Sequence, residues 1–527
     1  MERPLARRVL AAGLLLGLLA EIALDGPAFG LNVPLMVIAL LGAAWLLRRR
    51  ERVPDPLDAW LPIVAIVLAA FVAVRGDPFL AAMDTLVALA FTGASVVAFS
   101  GLAVTRGSAS VVATIGLWVV GSFAWGPPRT VRAARQSPTP APAEPKDAAA
   151  AGWDAAAAPH PSRLPSWTGP VARGLMVGIP LALIFAVLFA SADPIFRRGL
   201  DDVLGLRIDL GTLPGRVLFV LAAAWLAVAL LAIAATGLPA LERGTSLERG
   251  SSLGAAARSR SLDNLRALGA VEALVILLAI DLVVAAFVGL QVAYLFGGVD
   301  TPAAIGMTYS DYARRGFFEL VAATCLACAV VVAIETTVER RSRPYLAALL
   351  VLVGLSAVVL ASAAMRLRLY QEAYGWTELR LYVLVAIGSL GLALAATAAL
   401  VLADRTRWLG HALAVIGVVA LVGLNVIAPS AVVAEHNIAR VLDPTLVPVD
   451  GHAGLDRAYL SVLPDDAIPV VVSALHLLPE ADRGAITWYL LQRRNELRLG
   501  PAYQGWAAWN LGREQARTAL DTLETLR

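Results

Sequence analysis

Charged residues are scarce in this 527-residue sequence, since Asp, Glu, Lys and Arg together make up only 16% of it. Soluble domains usually carry roughly 25% charged and about 45–50% apolar residues. In this chain 59% of the residues are hydrophobic and the mean hydropathy is +0.73. A water-soluble core does not hide that much apolar surface, so lipid must solvate much of it. The composition excludes an ordinary soluble protein and predicts that much of the surface contacts a lipid bilayer.

Cysteine is almost absent. The two cysteines, Cys325 and Cys328, form a C-x-x-C inside an apolar stretch. A redox or metal site requires accessible thiolates and usually a second pair of ligands. The alternative, small packing residues on one face of a helix, fits the apolar surroundings better. No disulfide framework is expected, and a net charge of only +3 predicts no nucleic acid partner.

Enzymatic signatures are also missing. The sequence contains no phosphate-binding G-x-x-x-x-G-K-[ST], no H-E-x-x-H and no G-x-S-x-G. None of the five histidines forms a close metal-ligand pair. We therefore expect no cofactor and no metal, and the pattern favours a protein that is not an enzyme without deciding the question.

The sequence contains many long apolar segments. A helix needs about 20 largely apolar residues to cross about 30 Å of hydrocarbon. The candidates are residues 8–24, 30–47, 58–74, 84–104, 109–125, 171–190, 217–237, 268–296, 317–334, 345–365, 381–402 and 408–428. No alternating pattern of lipid-facing barrel strands occurs. The predicted fold is all-α, a polytopic transmembrane bundle of about 11–12 helices with a small helical, soluble C-terminal tail.

Arginine-rich loops predict the cytoplasmic side. These are residues 48–52, the Arg129, Arg132 and Arg135 cluster, residues 243–266, residues 340–343, and Arg405 with Arg407. If all twelve segments cross, the Arg129 cluster lies outside and the C-terminus is cytoplasmic. If residues 109–125 form an interfacial or re-entrant helix, eleven spans remain, with a cytoplasmic N-terminus and an exterior C-terminus. Residues 1–24 lack an A-x-A-like cleavage site, so they are predicted to be a retained first helix.

Composition divides the chain into four parts. Residues 1–126 form an N-terminal membrane block of four or five segments, and the Pro/Ala-rich residues 127–168 are typical of a flexible linker. Residues 169–430 form the main membrane bundle of about seven spans. In residues 431–527 charges of both signs return, which predicts a helical soluble tail that offers surfaces to protein partners. The oligomeric state stays open.

Ionisable side chains inside an apolar span are costly and point to function by default. Asp281 lies in the middle of the candidate span 268–296, Gln291 follows near its end, and Glu319 begins the next span. One interpretation is a proton or ion site at Asp281. The alternative is a neutral acid that is hydrogen-bonded to a neighbouring helix.

Two loops are dense in tyrosine and arginine, and the predicted topology places both on one side. The residues concerned are Tyr309, Tyr312, Arg314 and Arg315 in the first loop, and Arg366, Tyr370, Tyr374, Glu378 and Arg380 in the second. A helix aligns Arg366, Tyr370 and Tyr374 until Gly375 ends it. In one interpretation the loops bind an anionic headgroup or substrate. In the other they form an aromatic belt with loop-closing salt bridges.

The sequence resembles a bacterial multi-pass family known only as domain of unknown function 4153 or 4173. The residues that carry the resemblance are Asp25-Gly26-Pro27, Gly30-Leu31-Asn32, residues 191–196, 291–298, 308–320 and 366–382, Asn437-Ile438-Ala439-Arg440 and Trp509-Asn510-Leu511. The resemblance implies a bacterial inner-membrane location. It implies no activity.

Three hypotheses follow, in order of preference. The first is a non-enzymatic membrane protein with a sensing, scaffolding or regulatory role. The second is a transporter or channel that uses Asp281 and the region from Gln291 to Glu319. The third is a membrane enzyme that acts on lipid or cell-envelope intermediates at the Arg/Tyr/Trp loops.

Overall fold

A computed structural model describes residues 1–24, 26–105, 109–135, 213–237, 270–296, 317–338, 342–447 and 454–524. Every regular element in these ranges is a helix, so the prediction of an all-α fold is confirmed for them. The helices are α1 (Arg3–Leu24), α2 (Asn32–Leu47), α3 (Trp60–Val72), α4 (Pro78–Phe99), α5 (Ala109–Arg135), α6 (Leu213–Thr236), α7 (Ala270–Phe296), α8 (Phe317–Thr337), α9 (Arg343–Tyr374), α10 (Glu378–Leu402), α11 (Leu409–Ile427), α12 (Pro429–Leu442), α13 (Arg457–Leu460), α14 (Ile468–Ala474), α15 (Glu480–Leu499) and α16 (Leu511–Asp521).

Five of the described helices are long and apolar enough to cross a membrane. They are Pro78–Phe99, Phe219–Thr236, Arg343–Tyr374, Glu378–Leu402 and Leu409–Ile427. Shorter apolar helices cover Asn32–Leu47, Pro56–Val72 and Ala273–Gly289. Helices form at every predicted span except residues 171–190, which lie outside the described residues. A total of 11–12 spans, and the path of residues 109–125 relative to the membrane, stay predictions.

Local sequence signals explain where several helices begin and end. The Asp77 carboxylate accepts hydrogen bonds from Phe79 N (2.8 Å) and Leu80 N (3.2 Å), and Pro78 occupies the first turn of α4. This combination of a carboxylate cap and an early proline is a strong helix start. At Gly375 φ is +83°, so α9 ends at the glycine from which the sequence predicts a helix break.

Glycines allow α1 and α6 to pack closely. A Cβ on Gly17 would lie 2.5 Å from Val220 O, and a Cβ on Gly13 would overlap Val228 Cγ2. Since Gly17 meets the earlier part of α6 and Gly13 the later part, the two helices run antiparallel. Lipid supplies no hydrophobic drive for helix association, so close van der Waals packing at small residues stabilises such pairs. In this way α6 joins the packing of the N-terminal helices.

The buried apolar residues form three clusters. The first lies among α1–α4 and α6, with Leu68 and Leu231 fully buried, and the second among α7–α10, with Leu352 fully buried. The third lies within residues 429–524 and the start of α10, where Leu478 and Leu490 are buried. The C-terminal helices therefore have a core of their own that also includes Leu381 of the bundle.

The bundle has two distinct ends. At one end the α1–α2, α3–α4 and α9–α10 connections contact the C-terminal residues 454–524, called the tail below. At the other end the Trp60 and His411 rings lie 5.1 Å apart, and Arg52 donates to Ser100 O (3.4 Å). The arginine-rich residues 48–52 and the α10–α11 connection therefore lie at the end opposite the tail.

Candidate functional site

Asp281, the leading candidate from the sequence, lies on the face of α7 that also carries the buried Ala273 and Leu277. Only 6% of its surface is exposed, and neither carboxylate oxygen has a hydrogen-bond partner among the described residues. An unpartnered carboxyl in this position is costly. Among the described residues, no hydrogen bond joins Asp281 to another of the candidates.

Of the candidate residues in the second tyrosine- and arginine-rich loop, the structure brings Tyr370, Tyr374 and Arg380 into contact. The Tyr370 and Tyr374 rings meet edge to face at 5.0 Å, and the Arg380 guanidinium lies 4.1 Å from the centre of the Tyr370 ring. Glu378 belongs to another set of contacts, because its backbone N–H donates to Tyr459 Oη in the tail (2.8 Å) and the charges of Asp77 and Asp466 act on its carboxyl. The structure therefore divides these candidates between two neighbouring sites.

Other candidates lie beyond what the structure describes. Tyr309, Tyr312, Arg314 and Arg315 are outside the described residues. Gln291 and Glu319 lie in α7 and α8, and nothing is described of their side chains. Their predicted role in a transport site stays a prediction.

The tail is hydrogen-bonded to two loops of the bundle through residues 502–512. The bonds join Ala28 N to Ala502 O (2.7 Å), Leu31 N to Trp509 O (2.9 Å), Asn32 N to Ala507 O (3.1 Å), Leu511 N to Ala73 O (2.9 Å) and Gly512 N to Val74 O (2.9 Å). Asn510 Nδ2 also donates to Val72 O (2.8 Å) and Arg75 O (2.7 Å). The tail thus satisfies loop backbone groups that would otherwise lack partners.

Two carboxyl groups of the bundle and one of the tail lie close together where the tail contacts the bundle, and we call Asp77, Glu378 and Asp466 the acidic junction. Tyr382 Oη donates to Asp77 Oδ2 (2.5 Å), which links α10 to the start of α4. Asp466 Oδ2 accepts from Gly76 N (3.0 Å), and Asp466 Oδ1 is buried without a partner among the described residues. The junction therefore couples the tail to both halves of the bundle.

Burial sets the electrostatics of Asp466, whose surface is 8% exposed. Burial raises the pKa of its carboxyl to about 6, and the nearby charges of Asp77 and Asp465 act in the same direction. The Gly76 hydrogen bond and the Arg75 charge offset part of this rise. Asp466 therefore titrates closer to neutral pH than an ordinary aspartate.

Two arginines close helix ends beside the junction. Arg75 donates to Asn425 O and to Val426 O (3.2 Å) at the end of α11. Arg440 donates to Glu372 O and to Ala373 O (3.3 Å) at the end of α9. A cation is favourable at a helix C-terminus, where carbonyl groups lack partners.

Sequence reasoning missed Asp77, Tyr382 and Tyr459 as members of this site. The Asp77-Pro78 pair signals only a helix start, and a tyrosine near a helix end is typical of an interfacial anchor. No described group of three His, Cys, Asp or Glu side chains has the arrangement of a metal site. The chemistry open to the junction is proton binding and the positioning of the tail.

Four of the segments that carry the family resemblance lie at this end of the bundle, namely residues 30–32, 366–382, 437–440 and 509–511. Asn32 donates to Ala23 O (2.8 Å) and closes the α1–α2 loop. Asn437 accepts from Trp376 N (2.8 Å) and donates to Trp376 O (2.9 Å), which holds the α9–α10 connection. Asn510 anchors the tail to α3, as given above. These residues share a structural task, namely fixing the loops under the tail.

Comparison with known proteins gives a family and no activity. No curated protein and no solved structure matches the chain significantly. The model of a family described as a domain of unknown function (DUF4153) matches residues 35–474. That match spans most of the bundle and the first part of the tail, including the α9–α10 connection and Arg440. The chain belongs to the DUF4153 family.

Proposed function

We propose that this protein is a multi-pass protein of the bacterial inner membrane with a non-enzymatic sensing, scaffolding or regulatory role, and that its tail lies outside the cytoplasm. The observation that carries the proposal is the docking of the tail on the connections α1–α2, α3–α4 and α9–α10. A domain joined to several helix pairs moves when any of them moves. It is therefore suited to convert a change in the bundle into a change at its own surface.

The orientation rests on the two ends of the bundle. Residues 48–52 and Arg405 lie opposite the tail, and short arginine-rich connections stay in the cytoplasm. Arg3, Arg7 and Arg8 at the start of α1 support the same orientation, because the end of α1 lies beside the tail. The arginines of the tail do not oppose it, since long domains are translocated largely regardless of charge.

Cysteine labelling tests the orientation. In a Cys325→Ser, Cys328→Ser background, a single cysteine replaces the exposed Ser473 of the tail or, as the matched control, the exposed Glu51 of the opposite loop. A membrane-impermeant maleimide added to intact cells is expected to label Ser473→Cys alone, and both variants after lysis. Labelling of Glu51→Cys alone in intact cells would reverse the proposed topology.

The regulatory role has a separate test. Exposed tail side chains such as Trp488, 65% exposed, offer a surface for a partner. Crosslinking in cells from a photoreactive amino acid at Trp488 is expected to capture a defined protein, whereas the same group at the buried Leu490 is not. Identical products from the two positions would remove the support for a partner surface.

A transporter or channel is a second candidate, favoured by Asp281. A buried carboxyl without a partner in the described part of a membrane helix is retained most simply when it binds a proton or cation. The matched control is Asp84 in α4, which accepts from Asn425 Nδ2 (2.9 Å) and so has a structural partner.

Reconstituted vesicles test this candidate. Asp281→Asn is expected to abolish proton or cation flux while the protein still inserts and folds. Asp84→Asn keeps an oxygen that accepts from Asn425 Nδ2, so it is expected to fold and to leave flux unchanged. Equal flux in the Asp281→Asn variant and the unmodified protein would contradict the transporter hypothesis.

A further inference from the structure

A cavity of about 670 Å³ lies where the α9–α10 connection meets α12 and the beginning of the tail. Its wall includes Tyr374, Trp376, Arg380, Arg440 and Tyr459. Because α9 ends at Tyr374 and α10 begins at Glu378, the cavity lies at the shared end of two helices that are long and apolar enough to cross a membrane. Lipid headgroups lie near the ends of helices that cross a bilayer.

Two arginine residues, Arg380 and Arg440, line this wall. Arg380 donates from Nη1 to Gly375 O (2.5 Å), its one hydrogen bond from the side chain to a described residue, so its other nitrogens keep free donors. Arg440 lies close enough that burial and the charge of Arg380 together lower the pKa of its guanidinium. Two like charges held together in a cavity are an electrostatic cost that a bound anion relieves.

The described part of the wall contains one further cation and one acid. Arg457 pairs with Asp482 (3.3 Å), so its charge is balanced. Asp456 accepts a hydrogen bond from Tyr459 N (2.9 Å) as the cap of α13. Among the described residues of the wall, Asp456 is therefore the one carboxylate beside Arg380 and Arg440.

We propose that this cavity binds a phosphate group, with Arg380 and Arg440 as its ligands and the aromatic side chains of Tyr374 and Trp376 beside it. Guanidinium groups match phosphate oxygens with paired, directed donors, which a lysine does not. Basic pockets between membrane helices bind phosphorylated headgroups in the same way. The inference goes beyond the sensing role and does not depend on it.

Arginines at a helix end also have a purely structural role, and the chain offers a control for it. Arg75 donates to the last carbonyls of α11 as Arg440 does to those of α9, but it does not line this cavity. Arg75→Gln therefore removes a helix-end interaction and leaves the proposed phosphate ligands in place.

The test uses the full-length protein in a neutral detergent and follows thermal unfolding as ligand is added. The probes are inorganic phosphate and dihexanoyl phosphatidylglycerol, with chloride at equal ionic strength and dihexanoyl phosphatidylcholine as controls. We expect phosphatidylglycerol or phosphate to raise the melting temperature in a saturable way. Arg380→Gln is expected to weaken that binding at least about tenfold, while Arg75→Gln leaves the dissociation constant unchanged.

The pattern of responses identifies the source of the phosphate. A response to phosphatidylglycerol alone supports a lipid headgroup, and a response to inorganic phosphate alone supports a soluble ligand. No response to either, or equal weakening by Arg75→Gln and Arg380→Gln, overturns the proposal. If Arg380→Gln does not fold, Arg380→Lys replaces it, because lysine keeps the charge but lacks the paired donors of a guanidinium. The dissociation constant of Arg380→Lys is then compared with that of Arg75→Gln, and equal values overturn the proposal.

Discussion

At the scale of one residue, the Asp466 carboxyl is buried between the tail and the bundle. Its Oδ2 atom accepts a backbone hydrogen bond from Gly76, while Oδ1 lies against Gly512 without a partner among the described residues. A buried carboxyl with half of its acceptors unused is more stable when it is protonated. The residue therefore makes tail docking sensitive to pH.

The sign of that pH dependence follows from the raised pKa. Since folding raises the pKa of Asp466 from its ordinary 3.8 to about 6, the folded protein holds the proton more tightly than the unfolded chain does. Its contribution to stability is fully present below pH 3.8 and is lost as the pH rises through about 6. The loss amounts to about 3 kcal/mol at neutral pH, at 1.36 kcal/mol for each pKa unit.

We predict that Asp466→Asn stabilises the protein at pH 7.5 and that the difference shrinks towards pH 4.5. The neutral amide removes the cost of a buried charge, and its oxygen still accepts from Gly76 N. The measurement is the melting temperature in detergent across this pH range. Asp482→Asn removes a tail carboxylate that is paired with Arg457; it is the control and should not stabilise the protein at pH 7.5. A stabilisation that is equal at both pH values would remove the electrostatic explanation.

At the scale of the element, α16 docks because its first turn contains a glycine. A Cβ on Gly512 would overlap Asp466 Oδ1 and would lie 2.8 Å from Gly76 N. Gly76 N is bonded to Asp466 Oδ2 and Gly512 N to Val74 O, so the two backbones cannot separate without breaking a hydrogen bond. Close approach of backbone to backbone fixes the start of α16 against the α3–α4 loop.

Gly512→Ala is expected to destabilise the protein by about 1–3 kcal/mol through overpacking. The same substitution at Gly484 in α15 is the matched control, since a Cβ there has open space and alanine favours a helix by roughly 0.5–1 kcal/mol. The two variants should therefore shift the melting temperature in opposite directions. Destabilisation by both would point to a general sensitivity of the tail and away from the contact at Asp466.

At the scale of the whole molecule, the tail completes the N-terminal helices. We predict that a chain ending at Leu499 melts at a markedly lower temperature and is cleaved faster by protease in the α1–α2 loop. The reason is that Ala28, Leu31 and Asn32 lose the acceptors of their backbone N–H groups. The measurements are the melting temperature and the mapped cleavage sites.

The control for this truncation is a chain ending at Glu524, which lacks only residues 525–527 and keeps every contact described above. It should match the full-length protein in both measurements. If the chain ending at Leu499 also matches it, the tail is an appendage and the proposed coupling to the bundle fails.

Local signals in the sequence identified several features of the fold. The end of α9 at Gly375 and the helices at the described apolar segments follow from residues adjacent in the chain. Asp281 was singled out in the same way, as a charge in an apolar run, and the structure shows that it is buried; its role stays a prediction. The division of the chain into four domains stays a prediction, although α6 packs on α1 and α5 continues to Arg135.

The acidic junction did not follow from the sequence, because its members are far apart in the chain. Tyr382 and Asp77 are separated by 305 residues, and Asp466 and Gly76 by 390. Periodicity predicts which face of a helix is apolar but does not predict which helix end lies beside which. A polar residue near a helix end is therefore equally compatible with a loop, an interfacial anchor and a buried network.

The sequence by itself determined that the chain is helical and that several of its segments are apolar enough to cross a membrane, because apolar composition and internal backbone hydrogen bonding are properties of each segment alone. Only the tertiary structure decided that the tail closes one end of the bundle, that three carboxyl groups lie close together where the tail contacts it, and that two arginines line one cavity. The physical reason is that these contacts depend on close packing between segments hundreds of residues apart, and no local pattern encodes that packing.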